Sequence, residues 1–224
     1  SNAHKNMLLY QHDLEKTNIG MHNCLFVDFE KVFTDGFMTR NGDIRPPASF
    51  SSACQQMAVI FQCQSQVQFG GVGTVHCDYD LSPFVKKSFK KHIKNYFTDV
   101  EDMSEKRAEV IMKEYEEEFG EICLDNKNFG GRISEKAYNY AVKQLEREGK
   151  QSAEAFYHNL NTLESRAGSQ VPFTSINFGR DTSTEGKLVQ KWMLNASIAG
   201  VGKHHLTPIF PISIFQYKSG VNAE

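Results

Sequence analysis

The sequence predicts an α/β fold with mostly parallel strands, on three observations. Short apolar, β-prone runs recur at 24–29, 69–76, 171–179 and 207–215. The stretches between them carry apolar residues at three- and four-residue spacing, the mark of amphipathic helices. Those stretches are also long enough to serve as the crossovers that parallel strands require.

Composition sets outer limits on function. Apolar residues are 40% and charged residues 23%, with 17 Phe against 6 Pro, which indicates a packed globular chain and excludes a disordered tail. The net charge of −2 provides no global positive field, so nucleic acid is not expected as a partner. No run approaches the roughly 18 apolar residues of a membrane span, and no membrane association is expected; the chain reads as cytoplasmic. Ser1, Asn2 and Ala3 read as a tag remnant, leaving 4–224 for the fold.

The elements follow in order. The run Cys24-Leu25-Phe26-Val27-Asp28-Phe29 suits a strand buried on both faces, with Cys24, Phe26 and Asp28 sharing one side. Turn dipeptides fill 35–43, and Pro46-Pro47 stops any earlier element. Phe50, Ala53, Cys54, Met57, Ala58 and Phe61 predict a helix over 49–68, with Ser52 and Gln55 fitting a capping box. Glutamines line much of the rest of that helix, a surface suited to helix contacts. A glycine-rich strand at 69–76 follows. Lys86, Lys87, Lys90, Lys91 and Lys94 then interleave with Phe84, Val85, Phe89 and Ile93 at helical spacing, and a solvated helix face over an apolar one accounts for the pattern. A helical insertion at about 95–165 comprises an acidic helix at 104–119, a Gly130-Gly131 break, and helices near 134–148 and 152–164. The last third returns to a strand at 171–179, a helix capped by 181–184 and closed by Gly200 or Gly202, and a strand at 207–215 in which two prolines are awkward.

The five cysteines are odd in number and irregularly spaced, so neither a disulfide framework nor a metal site is expected. Most read as small buried hydrophobes.

Specific strings add what periodicity does not. Asn23 through Asp28, Gly36-Phe37, Pro46-Pro47, Phe69-Gly70-Gly71 and Pro83-Phe84-Val85 stand in an order and spacing that resembles the anaerobic (class III) ribonucleotide reductases. The later blocks at 171–179, 199–203, 207–211 and 220–222 are similar to the same family. The resemblance runs from about Met21 to Asn222.

It implies the parallel-stranded half of a ten-stranded α/β barrel, in an enzyme reducing ribonucleoside triphosphates to deoxyribonucleotides by radical chemistry. The family's cysteine on the first barrel strand, which faces the ribose, matches Cys24. Once a radical has removed the 3′ hydrogen, the 2′ hydroxyl must leave as water, and a thiol beside it can donate the proton. His22 and Asn23 flank Cys24 as candidate ribose contacts, or else satisfy the strand's end. The helix 49–68 matches one that the family uses in a homodimer interface where a deoxynucleotide effector binds. The segment 78–94 stands where the specificity loop would be, so that Lys86, Lys87, Lys90 and Lys91 would meet effector phosphates.

The resemblance also implies a glycyl radical raised by an S-adenosylmethionine/iron–sulfur activase, a thiyl-forming cysteine and structural zinc in the parent. None has a counterpart in this sequence, so a catalytically silent fragment is expected. The alternative is a non-catalytic nucleotide-binding module for regulation or assembly, resting on the 86–94 lysines.

Overall fold

In the computed structural model, residues 5–7, 23–39, 41–129, 132–166 and 168–223 are described. A four-stranded sheet is the frame. Its strands are β1 (Leu25–Phe26), β4 (Val72–Thr74), β5 (Thr174–Phe178) and β6 (Ile212–Phe215), in that spatial order. All three pairings are parallel, with Leu25 opposite Val72, Gly73 opposite Ser175 and Ile176 opposite Ser213. The α/β class and the parallel crossovers are thus as expected.

β1 is shorter and more open than its apolar run predicts. It holds two residues, and Phe26 is 59% exposed. Asp28 is not a strand residue: its carboxylate accepts the Lys31 N–H at 3.2 Å and caps helix α1 (Phe29–Asp35), so an N-cap preference ends the strand. The turn-rich stretch after it folds into a small antiparallel hairpin, β2 (Phe37–Thr39) with β3 (Gly42–Ile44).

Helix α2 (Phe50–Ser65) buries Phe50, Ala53, Cys54, Met57, Ala58 and Phe61. Its capping box is Ser49 with Ser52, one turn earlier than the Ser52–Gln55 pair the sequence suggested. Its glutamines largely work inside the chain: Gln56 donates to the Arg45 carbonyl, Gln62 to Asn159, Gln64 to the Gln68 side chain, and Gln68 itself to Gly70. Gln55 and Gln66 stay exposed.

Residues 78–94 are helix and not loop. They belong to α3 (Cys77–Asn95), whose buried face carries Leu81, Phe84, Val85, Ser88, Phe89 and Ile93. Pro83 lies within it; the Ser82 hydroxyl donates to the Tyr79 carbonyl that Pro83 cannot serve. A π-helical turn (Tyr96–Val100) leads to α4 (Glu105–Phe119). The two helices expected beyond it are a single one, α5 (Glu135–Thr162), packed on α2, α3 and α6 (Thr184–Ala199). Gly149, whose sequence neighbourhood read as a break, lies inside α5 because the Trp192 indole occupies the space of its side chain: a Cβ there would fall 2.3 Å from the ring. The Trp192 Nε1–H donates to Glu146 at 2.9 Å.

α6 is capped by Ser183 and closed by Gly200 at φ +80°, a left-handed stop that suits glycine. The strand expected over 207–215 holds only its last four residues, all exposed, so that Pro208 and Pro211 precede the ladder. Asn161 of α5 braces that approach, accepting the N–H groups of Ile209 and Phe210.

Two buried polar centres tie the layers together. Glu148 of α5 pairs with His92 of α3 at 2.7 Å and accepts from Ser88 and from the Ser51 N–H at the start of α2. Burial opposes its charge, yet these hydrogen bonds hold its carboxyl below the usual range. Asp78, 1% exposed in the first turn of α3, accepts with one oxygen from the Gly179, Arg180 and Asp181 N–H groups and from Gln190 of α6, at 2.8–2.9 Å.

Gly149→Ala tests the α5–α6 seat. Alanine in a helix interior ordinarily gains up to about 1 kcal/mol over glycine, whereas overpacking here reverses the sign, with an expected net loss of roughly 1–3 kcal/mol. The urea midpoint falls if the seat is as tight as described; a rise would contradict it.

Candidate functional site

A parallel ladder places opposed residues on one face. Val72, Thr74, Ile176 and Phe178 are buried where β4 meets α2 and β5 meets α3. The other face carries Phe26, Gly73, Ser175 and Ile212 in one row, and Asn177 with Ile214 in the next. Here Phe26, Ile212 and Ile214 are exposed, Ser175 and Asn177 half-buried. The Asn177 Oδ1 has no hydrogen-bond partner among the described residues. Gly73 makes room for this row, since a Cβ there would fall 2.4 Å from the Ser175 hydroxyl and 3.3 Å from the Phe26 ring.

Cys24 stands just ahead of β1, and the strand alternation carried back from Phe26 puts it on this same open face. Its side chain is exposed, with Sγ 3.8 Å from the Asn23 Oδ1. The ladder continues around it: Leu25 donates to the Gly71 carbonyl at 3.1 Å and Val27 to Gly73 at 2.9 Å. Asn23 rests against Gly70, where a Cβ would fall 2.0 Å from the Asn23 carbonyl oxygen. The thiol therefore stands at the edge of the open sheet face. His22 lies outside the described residues.

The cysteines separate by setting. Cys54 and Cys77 are buried, and burial first, then Glu148 for Cys54 and Asp80 for Cys77, pushes both thiols far up, the environment of inert thiols. Cys24 and Cys63 are exposed and Cys123 is half-buried.

The lysines also separate. Lys86 pairs with Glu121 at 3.3 Å and Lys90 with Glu116 at 2.6 Å, both from α4 and the turn after it. Lys94 reaches Glu105 and Glu109. Lys87 lies over the Phe84 ring at 4.6 Å. Lys91 borders a polar cleft with Ser51, Gln55, His92 and Arg147.

A second concave region was not singled out in the sequence. A cleft of about 860 Å³ at the carboxyl end of β4 is lined by Glu30, Phe33, His76, Tyr79, Asp80, Lys87 and Arg180, among others. Asp80 accepts the Thr74 hydroxyl at 2.5 Å. Burial, foremost, pushes its carboxyl up to about 7; Asp78, Asp28 and Glu30 add repulsion, and the Thr74 bond pulls the other way. No spacing signal distinguishes Asp80 from a surface aspartate on α3, because its neighbours come from three separate segments. Ser175 and Asn177 had a signal, the alternation of half-buried polar with buried residues along β5.

Among the described residues, no group of three or more His, Cys, Asp or Glu side chains is arranged to hold a metal ion. No helix among them is long and apolar enough to cross a membrane.

The linkage of Asp80 has an unusual sign for a carboxylate. Its folded pKa lies above its unfolded value, so its contribution is full below about pH 4 and is lost as pH rises through about 7. Asp80→Asn removes that loss: the stability of the variant relative to the parent sequence increases steadily from pH 4 to 8 in urea titrations. A difference that is flat with pH, or of opposite slope, would refute the assignment.

Comparison with known proteins bears on this face. The family model described as anaerobic ribonucleoside-triphosphate reductase matches residues 1–224. The chain is 32% identical over 223 residues to the Haemophilus influenzae protein named anaerobic ribonucleoside-triphosphate reductase, covering 98% of this chain and 26% of that protein. The proteins of the same name from phage T4 and Escherichia coli are 29% and 30% identical, and the chain covers 31% and 26% of them. It thus spans about a quarter to a third of their length. Among solved structures, the Thermotoga maritima anaerobic ribonucleotide reductase with citrate in the active site superposes with a TM-score of 0.57 at 16% identity, over 98% of this chain and 35% of that one. The same enzyme with dATP bound in the specificity site gives 0.55 at 15% identity, over 98% and 33%.

Proposed function

Because this chain belongs to the anaerobic ribonucleoside-triphosphate reductase family, we propose that it builds one wall of such a reductase's catalytic centre, the wall carrying the thiol that serves the leaving 2′ hydroxyl. The supporting observation is Cys24 itself: exposed, at the start of the outermost strand, on the one sheet face not packed by the described helices. In the parent, a glycyl radical relayed through the thiyl-forming cysteine would supply the hydrogen abstraction at the ribose 3′ position. Cys24 then donates its proton to the 2′ hydroxyl as the C2′–O bond breaks and water leaves. Ser175 and Asn177 offer hydroxyl and amide groups on the same face for the ribose, and the Asn23 amide lies beside the thiol, its Oδ1 3.8 Å from Sγ.

A deoxynucleotide effector is the partner to expect, as dATP is held in the specificity site of the Thermotoga maritima enzyme. For its phosphates Lys87 and Lys91 are the better candidates, since Lys86 and Lys90 are neutralised by Glu121 and Glu116. A homodimer through α2 would use the exposed Gln55, Cys63 and Gln66. The alternative, a non-catalytic binding module, leaned on the full lysine cluster and is weakened by the same ion pairs.

The test belongs in the full-length parent, activated by its radical-generating partner. Cys24→Ser should reduce deoxynucleotide formation by roughly 10²–10⁴-fold or more while leaving effector affinity unchanged. Turnover near the parent rate would remove Cys24 from the mechanism.

A further inference from the structure

We propose that Arg166 is a positioning residue for the Cys24 thiol, acting through the backbone of Phe69 and Gly70. The consequence for turnover rests on the reading of Cys24 given above; the positioning itself does not.

Arg166 lies beyond the end of α5, where its own N–H is held by the Gln170 carbonyl at 3.1 Å. Its guanidinium donates to the Gly70 carbonyl at 2.9 Å and to the Phe69 carbonyl at 2.6 Å. The flat of the group lies over the Phe173 ring, 4.2 Å from its centre, and Phe173 in turn accepts the Val72 N–H with its carbonyl at 2.9 Å. Two acceptors and a ring leave a planar fork little freedom, and lysine cannot reproduce all three contacts. No carboxylate among the described residues lies within ion-pair distance of Arg166, so its hydrogen-bonding capacity is directed at the main chain.

The clamped segment is the one on which the cysteine's strand begins. Gly70 is pressed against Asn23 so closely that no other residue fits there. Gly71 accepts the Leu25 N–H. Cys24 is thus held on both sides by neighbours that rest on Gly70 and Gly71, and Arg166 fixes Gly70 and the Phe69 before it. The bond from Arg166 to Gly70 alone spans 96 residues of sequence, which is why no local motif announces it.

The experiment measures thiol reactivity in the chain as it stands. Alkylation by iodoacetamide is followed at each cysteine by peptide mass spectrometry across pH 6–9, with exposed Cys63 of α2 as the internal reference. Arg166→Ala should raise the Cys24 rate by about threefold or more as the strand start loosens, with Cys63 unchanged. Arg166→Lys should fall between the two. Gly70→Ala, which strains the same contact from the other side, should also alter Cys24 alone.

An unchanged Cys24 rate in both Arg166 variants overturns the proposal. So does an equal rise at Cys24 and Cys63, which would mark general loosening. Should Arg166→Ala not fold, Arg166→Lys carries the test by itself. In the full-length parent, Arg166→Ala should lower kcat with little effect on substrate KM. If Cys24 reactivity responds to Arg166 but Cys24→Ser still turns over, the positioning stands and the catalytic reading of the thiol falls.

Discussion

A single buried carboxylate organises the carboxyl end of the sheet. Asp78 opens α3, yet its acceptor capacity is spent on the loop that follows β5 and on Gln190 of α6. The three N–H groups it accepts are those a loop leaves unpaired between a strand's last ladder bond and a helix's first turn. Leaving them buried and unmet costs about 1–3 kcal/mol each. Two successive strand–helix units are therefore aligned by hydrogen bonding before apolar packing refines them. The depth of α3 against β5 follows, and with it the position of the cleft around Asp80.

The opposite end of the sheet is built on different physics. There the strands approach through glycines, Gly70, Gly71 and Gly73, and the backbone carbonyls of Asn23 and Phe173 and the Ser175 hydroxyl stand closest to where the missing Cβ atoms would be. Arg166, Phe173 and Asn23 meet the main chain directly. The contrast divides the molecule into a helix-covered face, whose residues are apolar and inaccessible, and an open face with a thiol, a hydroxyl, an amide and several exposed apolar side chains. The proposed chemistry uses the second of these, and the first holds it in shape.

How much of this was legible varied with the range of the interactions. Helices α2, α4 and α6 were readable because Phe50, Met57 and Phe61, or Val189, Trp192 and Met193, repeat at helical spacing and serine caps mark the starts. The continuity of α5 was not, because Gly149 looks like a break until Trp192 is placed over it. β1 was read too long because Asp28 suits a strand's polar face as well as it suits an N-cap. The helix α3 was legible in the spacing of Phe84, Val85, Phe89 and Ile93, and only the family resemblance pointed to a loop there. At the site, Cys24 was marked by its motif. Arg166 and Asp78 were invisible because the groups that give them a role lie 96–112 residues away, and Asp80 because its burial and the charges of Asp28 and Glu30 arise only in the fold.

The seat of Trp192 has a practical consequence. It is the only tryptophan in the chain, is 1% exposed, and its indole N–H is bonded to Glu146. Intrinsic fluorescence excited at the red edge thus reports from one point, the junction of the two long helices, remote in sequence from the thiol end. Blue-shifted emission marks a closed junction and a red shift marks water entering it, so the molecule carries its own optical gauge of whether a change near Cys24 has stayed local.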